Sequence, residues 1–214
     1  DAAAAAAVAG DLAGARAAVD AVRRLYAGRA DMDWALARHA ERAGEVMDAD
    51  AALALAEDAL MTPLDAEARR AVEAAARQVA TVTAVVPLAL ADVAVALVAN
   101  VRMIRRIAEV YGGRAGTFGS WRLLRRVVAH LAATGAIAVG DDLVSSVLGG
   151  GVMAKLSRRF GEGVVNGALT ARVGVAAIEV CRPLPFAAAP RPRVAALVGR
   201  ALTGLFGRDG APSA

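Results

Sequence analysis

The segment 161–186, GEGVVNGALTARVGVAAIEVCRPLPF, constrains the fold of this chain more than any other stretch. It is apolar, it carries small residues at helical spacing, and it ends in a Pro-x-Pro sequence that a helix cannot continue through. The small residues that share one side are Gly163, Gly167, Ala171 and Gly174. Such a side lets a second helix approach to backbone contact. The segment therefore predicts close helix packing and not a catalytic centre.

Two interpretations of this small-residue side stay open. In a membrane it would be a face for helix association, and in a soluble bundle it would be a tight internal crossing. Alanine makes up about a quarter of the chain and contributes little to membrane insertion. The alanine content favours the internal crossing.

The composition predicts an all-α fold, a helical bundle with glycine-rich, closely packed central helices. Alanine is the best helix former, aromatic residues are only 4% of the chain, and no stretch alternates convincingly between apolar and polar residues. A chain of 214 residues is long enough for a substantial core. We expect an acidic helical section over residues 1–62, a main helical domain over 63–182, and a Pro-rich linker with an amphipathic helix over 183–214.

Start and stop signals place the first helices. We expect helices over residues 2–27, 31–47 and 50–61, with Gly28 ending the first, Asp31 capping the second and Asp50 capping the third. Thr62, Pro63 and Asp65 then resemble a helix start: a capping threonine, a proline at the first helical position and an acid at the third. These signals predict a break in the helix at Thr62.

Residues 79–101 form an apolar stretch as long as a bilayer span, interrupted only by Pro87 and Asp92. Its alanines and threonines insert poorly, and an aspartate at the centre of a span costs about 2.5–3.5 kcal/mol. Two interpretations stay open, a membrane-embedded helix and a buried core helix. One functional hypothesis is therefore an amphitropic or pore-forming-like protein that inserts 79–101 into bilayers, and another is a soluble protein-interaction scaffold.

A dense arginine cluster follows within residues 102–126, which predict a helix, a Gly-rich turn and a second helix. The cluster consists of Arg102, Arg105, Arg106, Arg114, Arg122, Arg125 and Arg126. The predicted apolar face of the first helix consists of Met103, Ile104, Ile107, Ala108 and Tyr111. The cluster predicts contact with an anionic membrane surface or a protein partner, against the alternative of an ordinary solvated face. No nucleic-acid motif is present, so we expect no nucleic-acid partner.

The charge distribution agrees with a basic second part of the chain. Residues 1–80 carry 9 basic and 14 acidic side chains, whereas residues 81–214 carry 16 basic and 7 acidic ones. Arg172 lies among apolar residues, and Asp141 interrupts another apolar stretch. Because buried charges need partners, we expect an ion pair between Asp141 and Arg172, with a helix cap as the alternative role of Asp141.

The sequence predicts no catalytic residues, no metal site and no cofactor. Residues 149–157, GGGVMAKLS, lack the Gly-Lys-Ser/Thr of a phosphate-binding loop. His39 and His130 lack metal-ligand spacing, and we expect both on helix surfaces. The single cysteine, Cys181, excludes an internal disulfide.

Two blocks, NVRMIRRIAEVYGGRAGTFGSWRLLRR and GEGVVNGALTARVGVAAIEVCRPLPF, resemble the YcjF-type family of uncharacterised bacterial inner-membrane proteins. The resemblance covers residues 50–186. Its motifs occur in the family's order: Arg-Met-Ile-Arg-x-Ile with Tyr-Gly-Gly-Arg, then Gly-Asp-Asp-Leu, then the Gly-Glu-Gly segment that ends in Cys-Arg-Pro-Leu-Pro-Phe. A related domain of unknown function is also appended to some bacterial GTPases.

The resemblance implies a non-enzymatic inner-membrane protein, because the family has no established catalytic residues. It also implies a partner, a YcjX-type P-loop NTPase encoded beside it. Family members carry an N-terminal membrane hairpin that is absent here, so we expect this chain to be a piece of a longer protein, at least partly facing the cytoplasm. The oligomeric state stays open.

Overall fold

The chain folds into helices and connecting turns, and the all-α prediction is confirmed. The computed structural model describes residues 5, 9–85, 89–112, 125–127, 129–130 and 152–206, with side chains described within 9–85, 94–112, 125–127, 129–130 and 160–203. Within these ranges there is no β-strand.

Seven α-helices occur in the described part of the chain. They are α1 (Leu12–Tyr26), α2 (Asp33–Ala43), α3 (Ala49–Ala56), α4 (Thr62–Val85), α5 (Ala89–Val110), α6 (Val152–Cys181) and α7 (Val194–Phe206). A short 3₁₀ turn, Ala30–Met32, precedes α2, and a π-helical segment, Glu57–Met61, lies between α3 and α4.

The chain divides into two compact units. The first unit comprises Asp1–Glu67, Val110–Gly113 and Cys181–Arg191, and the second comprises Ala68–Glu109, Arg114–Val180 and Pro192–Ala214. The three sections predicted from composition, 1–62, 63–182 and 183–214, stay a prediction.

In the first unit, α1 ends beside the expected glycine, but the later boundaries differ from the predicted ones. Gly28 has a φ of 82°, the left-handed conformation that glycine adopts without strain. Helix α2 ends at Ala43, four residues before the predicted end. Asp48, and not Asp50, caps α3, because Asp48 has an extended backbone and its carboxylate accepts a 2.7 Å hydrogen bond from the N–H of Ala51.

Regular α-helix does begin at Thr62, as predicted, but the predicted cap at Thr62 is wrong. Thr62 has helical dihedral angles, φ −53° and ψ −49°, and the chain stays helical from α3 through the π-helical segment into α4. Pro63 has no N–H, and in a regular α-helix its ring would clash with the carbonyl four residues earlier, that of Ala59. The wider π turn before Pro63 relieves this clash without breaking the helix.

The second unit contains a close antiparallel crossing of α4 and α6. A methyl group built on Gly163 would lie 2.6 Å from the carbonyl oxygen of Ala80, and one on Gly167 would lie 3.1 Å from that of Ala76. The positions rise along α6 while their contacts fall along α4, so the two helices run in opposite directions. The crossing therefore depends on the absence of a side chain at both glycines.

The other residues of the predicted small-residue side are also in contact with neighbours. A methyl group on Gly174 would lie 2.5 Å from Val72 Cγ2 and 3.1 Å from the sulfur of Met103, and Ala171 is fully buried. All four small residues thus face the interior of the second unit.

Helix α7 packs on α4 in the same unit. Leu197 and Ala201 are buried on its inner side. Arg77 Nε donates a 3.0 Å hydrogen bond to the carbonyl of Ala201, and Arg200 Nε lies 2.5 Å from Glu73 Oε1. Apolar burial and two arginine contacts together hold α7 in place.

One helical stretch among the described residues is long and apolar enough to cross a membrane, and it is Phe160–Cys181, with a mean hydropathy of 1.4. This stretch contains the glycines that contact α4, so one side of it belongs to the core of the second unit. The predicted apolar stretch 79–101 is divided between two elements, since α4 ends at Val85 and α5 begins at Ala89. Residues 86–88, which include Pro87, lie outside the described residues.

Substitution of the crossing glycines should destabilise the protein. We expect Gly163→Ala to lower the free energy of unfolding by about 1–3 kcal/mol, since the new methyl group would overlap backbone that cannot rotate away. Gly167→Leu should cost more, because a whole side chain must fit between the helices. Chemical denaturation followed by circular dichroism measures both effects.

Gly199→Ala in α7 is the matched control. A methyl group there has open space around it, so the substitution should stabilise the helix by up to about 1 kcal/mol. Equal stabilities of the Gly163→Ala and Gly199→Ala proteins would contradict the close crossing.

Candidate functional site

The arginine cluster lies on the outside of the second unit wherever it is described. Arg102, Arg105 and Arg106 are exposed on α5, and Arg125 and Arg126 are exposed in a helical turn. Arg105 Nε lies 3.0 Å from Glu109 Oε1, an exposed ion pair of the kind that contributes little to stability. Arg114 and Arg122 lie outside the described residues.

The buried face of α5 agrees with the prediction. All the residues predicted for this face are buried: Met103, Ile104, Ile107, Ala108 and Tyr111. The exposed residues of the helix form one line along its outer side, which we call the α5 stripe: Ala94, Leu97, Val98, Arg102, Arg105, Arg106 and Glu109. Leu97 is 57% exposed and Val98 47% exposed. The stripe is thus apolar at its N-terminal end and cationic at its C-terminal end.

The predicted ion pair between Asp141 and Arg172 stays a prediction. Arg172 is half-buried on α6. Asp141 lies outside the described residues.

A buried charged cluster, absent from the sequence predictions, occupies the interior of the first unit. It consists of Arg182, Glu57 and Asp65, each with a side chain that is at most 5% exposed. Arg182 follows the C-terminus of α6, Glu57 begins the π-helical segment, and Asp65 lies in the first turn of α4. Asp65 is therefore an ion-pair partner in the interior and not the capping acid that the sequence suggested.

The guanidinium of Arg182 uses all of its donors. Its Nε lies 3.0 Å from Asp65 Oδ1, and its Nη2 lies 2.9 Å from Glu57 Oε1 and 3.1 Å from Asp65 Oδ2. Its Nη1 donates to the carbonyls of Leu184 and Pro185, at 2.6 and 2.7 Å. Arginine has five N–H groups, so none is left for a ligand.

The remaining carboxylate oxygens are also bonded. Glu57 Oε2 accepts hydrogen bonds from the backbone N–H groups of Ala187 and Ala188, at 3.2 and 2.6 Å. The guanidinium also stacks on the ring of Phe186, with Cζ 3.9 Å from the ring centroid. The cluster therefore fixes the turn that follows α6, and its saturated hydrogen bonding gives it a structural role.

Two buried tyrosines complete the cluster. Tyr111 Oη donates a 2.6 Å hydrogen bond to Asp65 Oδ1, and Tyr26 Oη donates a 3.3 Å bond to the carbonyl of Tyr111. Burial, and then the charge of Asp65, raise the pKa of Tyr111 far above its usual value. Burial also raises the pKa of Tyr26, partly opposed by Arg29. Both phenols therefore stay protonated and act as donors at neutral pH.

Sequence inspection missed this cluster for a definite reason. Glu57 interrupts an apolar stretch, and Arg182 stands between a helix and two prolines, so both were visible as charges in apolar surroundings. The separation between Arg182 and Asp65 is 117 residues, and no local rule connects positions so distant.

The histidines differ from the prediction in one case. His39 is 3% exposed, so its expected position on a helix surface is wrong, and the helices around it bury it. His130 is half-buried, with Nε2 2.8 Å from Glu179 Oε2. Among the residues that the structure describes, no three His, Cys, Asp or Glu side chains are placed to share a metal ion.

Removal of the guanidinium should strongly destabilise the first unit. We expect Arg182→Met to lower the free energy of unfolding by about 3–5 kcal/mol, because two buried carboxylates lose their counter-ion. Arg182→Lys should cost less, since it keeps the charge but has only three donors. Urea denaturation measures both.

Arg193→Met, at an exposed position, is the control and should change stability by less than about 1 kcal/mol. Adding Glu57→Gln to Arg182→Met should recover part of the loss, because it removes one uncompensated charge. If Arg182→Met lowered the free energy of unfolding no more than the control does, the cluster would not be what stabilises this region.

Comparison with known proteins gives the family. A domain of unknown function, DUF697, matches residues 47–207. The chain is 53% identical over 191 residues to a UPF0283 membrane protein of Sinorhizobium medicae, covering 89% of this chain and 53% of that protein. It is 48% identical over 207 residues to one of Rhizobium meliloti, covering 97% and 58%.

A third such protein, of Bradyrhizobium diazoefficiens, is 58% identical over 154 residues, covering 72% of this chain and 45% of that protein. The chain thus spans about half the length of the curated relatives it matches. No solved structure matches it. Because the DUF697 match covers most of the chain, the protein belongs to the DUF697 family, whose domain has no known function.

Proposed function

We propose that this chain is a non-enzymatic helical domain of a bacterial inner-membrane protein of the YcjF type, which binds the anionic cytoplasmic membrane surface through the α5 stripe. A YcjX-type P-loop NTPase is its proposed protein partner. The relatives' common name, membrane protein, supports the location, and the saturated hydrogen bonding of Arg182 supports a structural interior without catalysis.

The order of residues along the α5 stripe carries the proposal. Leu97 and Val98 are exposed one turn before Arg102, and Arg105 and Arg106 follow on the same side. An α-helix rises about 1.5 Å per residue, so Leu97 and Arg105 lie about 12 Å apart along the axis. With its N-terminal end tilted into the membrane, α5 can hold Leu97 among the acyl chains and Arg105 among the phosphates, where an apolar side chain and a guanidinium are each favoured.

The core contacts of α5 are made by the side of the helix opposite the stripe, so the stripe is available to contact lipid. Ala99, Met103 and Ile104 are buried, so the core of the second unit is satisfied without the exposed residues. Arginine also suits this position chemically, because its planar guanidinium can bond two phosphate oxygens at once. The domain can therefore keep its fold while the stripe contacts lipid.

Loss of the stripe's charge should weaken membrane binding. We expect the chain to float with phosphatidylglycerol vesicles and much less with phosphatidylcholine vesicles. Each arginine near an anionic surface contributes about 1 kcal/mol, so changing Arg102, Arg105 and Arg106 to Gln together should weaken binding about 100-fold. Vesicle flotation at several lipid concentrations measures the partition coefficient.

A triple variant of equal charge change, Arg24→Gln with Arg42→Gln and Arg70→Gln, is the control, since these three arginines are exposed elsewhere. It should lose far less binding. Equal losses in the two triple variants, or no flotation of the unaltered chain, would contradict the role of the α5 stripe.

The NTPase partner rests on the family resemblance. We expect the full-length protein that contains this domain to co-purify with the P-loop NTPase encoded beside it, in mild detergent and with nucleotide present. Failure to bind at concentrations on the order of 10 µM would contradict the partnership while leaving the lipid contact unaffected.

A further inference from the structure

The three arginines of the α5 stripe are not equivalent. Arg105 Nε lies 3.0 Å from Glu109 Oε1, and Arg106 Nη1 lies 3.9 Å from Glu109 Oε2. Arg102, one helical turn earlier, is exposed and has no ion-pair partner among the residues that the structure describes. The stripe therefore has two adjacent cationic positions: one at Arg102, and one at Arg105 and Arg106 that already holds an anionic group.

The carboxylate of Glu109 marks the second position as a site for an oxyanion. Its two oxygens face two different guanidiniums, as two oxygens of one phosphate do when arginines bind it. The three side chains are between 40% and 58% exposed, so water screens these ion pairs and they contribute little to stability. An external phosphate can therefore displace Glu109 without a large cost.

The two positions lie close enough together for one headgroup to occupy both. Side chains three and four residues apart on a helix have Cβ atoms about 5–6 Å apart, and Arg102 stands in this relation to Arg105 and Arg106. A headgroup with one phosphate can bind Arg102 and leave Glu109 in place. When a second phosphate is joined covalently to the first, it is held beside Arg105 and Arg106 at a high effective concentration, and it can displace Glu109.

We propose that the α5 stripe selects lipid headgroups in which one glycerol joins two phosphates, the headgroup of cardiolipin. One phosphate binds Arg102, and the other replaces the carboxylate of Glu109 at Arg105 and Arg106. This selectivity rests on the membrane contact proposed for the stripe, and it adds the class of lipid that the stripe prefers.

Flotation with two kinds of vesicle tests the selectivity. Both consist mainly of phosphatidylcholine, and one contains cardiolipin at half the molar fraction of phosphatidylglycerol in the other, so that the phosphate charge is equal. We expect the unaltered chain to bind the cardiolipin vesicles about tenfold more tightly, because the second phosphate binds without a further loss of translational freedom. Flotation at several lipid concentrations gives the ratio of the two partition coefficients.

Arg102→Gln should remove the preference for cardiolipin, because a headgroup with two phosphates then has only one position to occupy. Arg70→Gln, at an exposed position on α4, removes the same charge and should leave the ratio unchanged. Both substitutions lie at exposed positions, so circular dichroism should show an unaltered fold.

Glu109→Gln should raise binding to the cardiolipin vesicles. The expected gain is about fivefold, because the second phosphate no longer has to displace a carboxylate and one charge near an anionic surface contributes about that factor. Glu41→Gln, at an exposed position on α2, is the matched control and should leave binding unchanged.

Three results would overturn the selectivity. They are equal binding to the two kinds of vesicle, a preference for cardiolipin that survives Arg102→Gln, and a gain from Glu109→Gln no larger than that from Glu41→Gln. Equal binding would leave the proposed membrane contact intact, whereas the absence of flotation with both kinds of vesicle would contradict that contact as well. A preference that survives Arg102→Gln would belong to the packing of cardiolipin membranes and not to the stripe.

Discussion

The ion pairs of Arg182 are the interaction on which the first unit depends most. Arg182 connects Glu57 and Asp65, which belong to the helical stretch through α3 and α4, with the turn after α6, and Tyr111 reaches the same carboxylate. Charges at most 5% exposed are tolerated only when each has its partner. These distant stretches of chain therefore require one another: removing Arg182 leaves two carboxylates as uncompensated buried charge.

The second unit is held by a different constraint, the absence of side chains at Gly163 and Gly167. Small residues let α4 and α6 approach to backbone contact, which suits a chain with about a quarter alanine. Because the bundle interior uses small residues and one side of α5, the outer side of α5 is left for other contacts. In both units the stabilising contacts lie in the interior, and the groups proposed for membrane binding lie on the α5 stripe.

Local signals predicted local features well. The 3.6-residue period of α5 separated its buried face from its arginines, and Gly28 marked the end of α1, because both depend only on neighbouring residues. Signals with two possible meanings were less reliable. Thr62 and Pro63 resemble a helix start, but the π turn before them continues the helix. Asp48 and Asp50 can each cap a helix, and only the backbone conformation shows that Asp48 caps α3. His39 was expected on a helix surface because it lacks the spacing of a metal ligand, yet other helices bury it.

The sequence by itself determined the all-α class, the two faces of α5 and the presence of a helix that another helix can approach closely. These properties follow from helix propensity, periodicity and side-chain size, which act within a few turns of one helix. Only the tertiary structure decided that Gly163 meets Ala80, that His39 is buried, and that Arg182 pairs with Asp65 across 117 residues. Such contacts are selected by the packing of whole helices, since the penalty for burying an unpaired charge arises only once those helices exclude water.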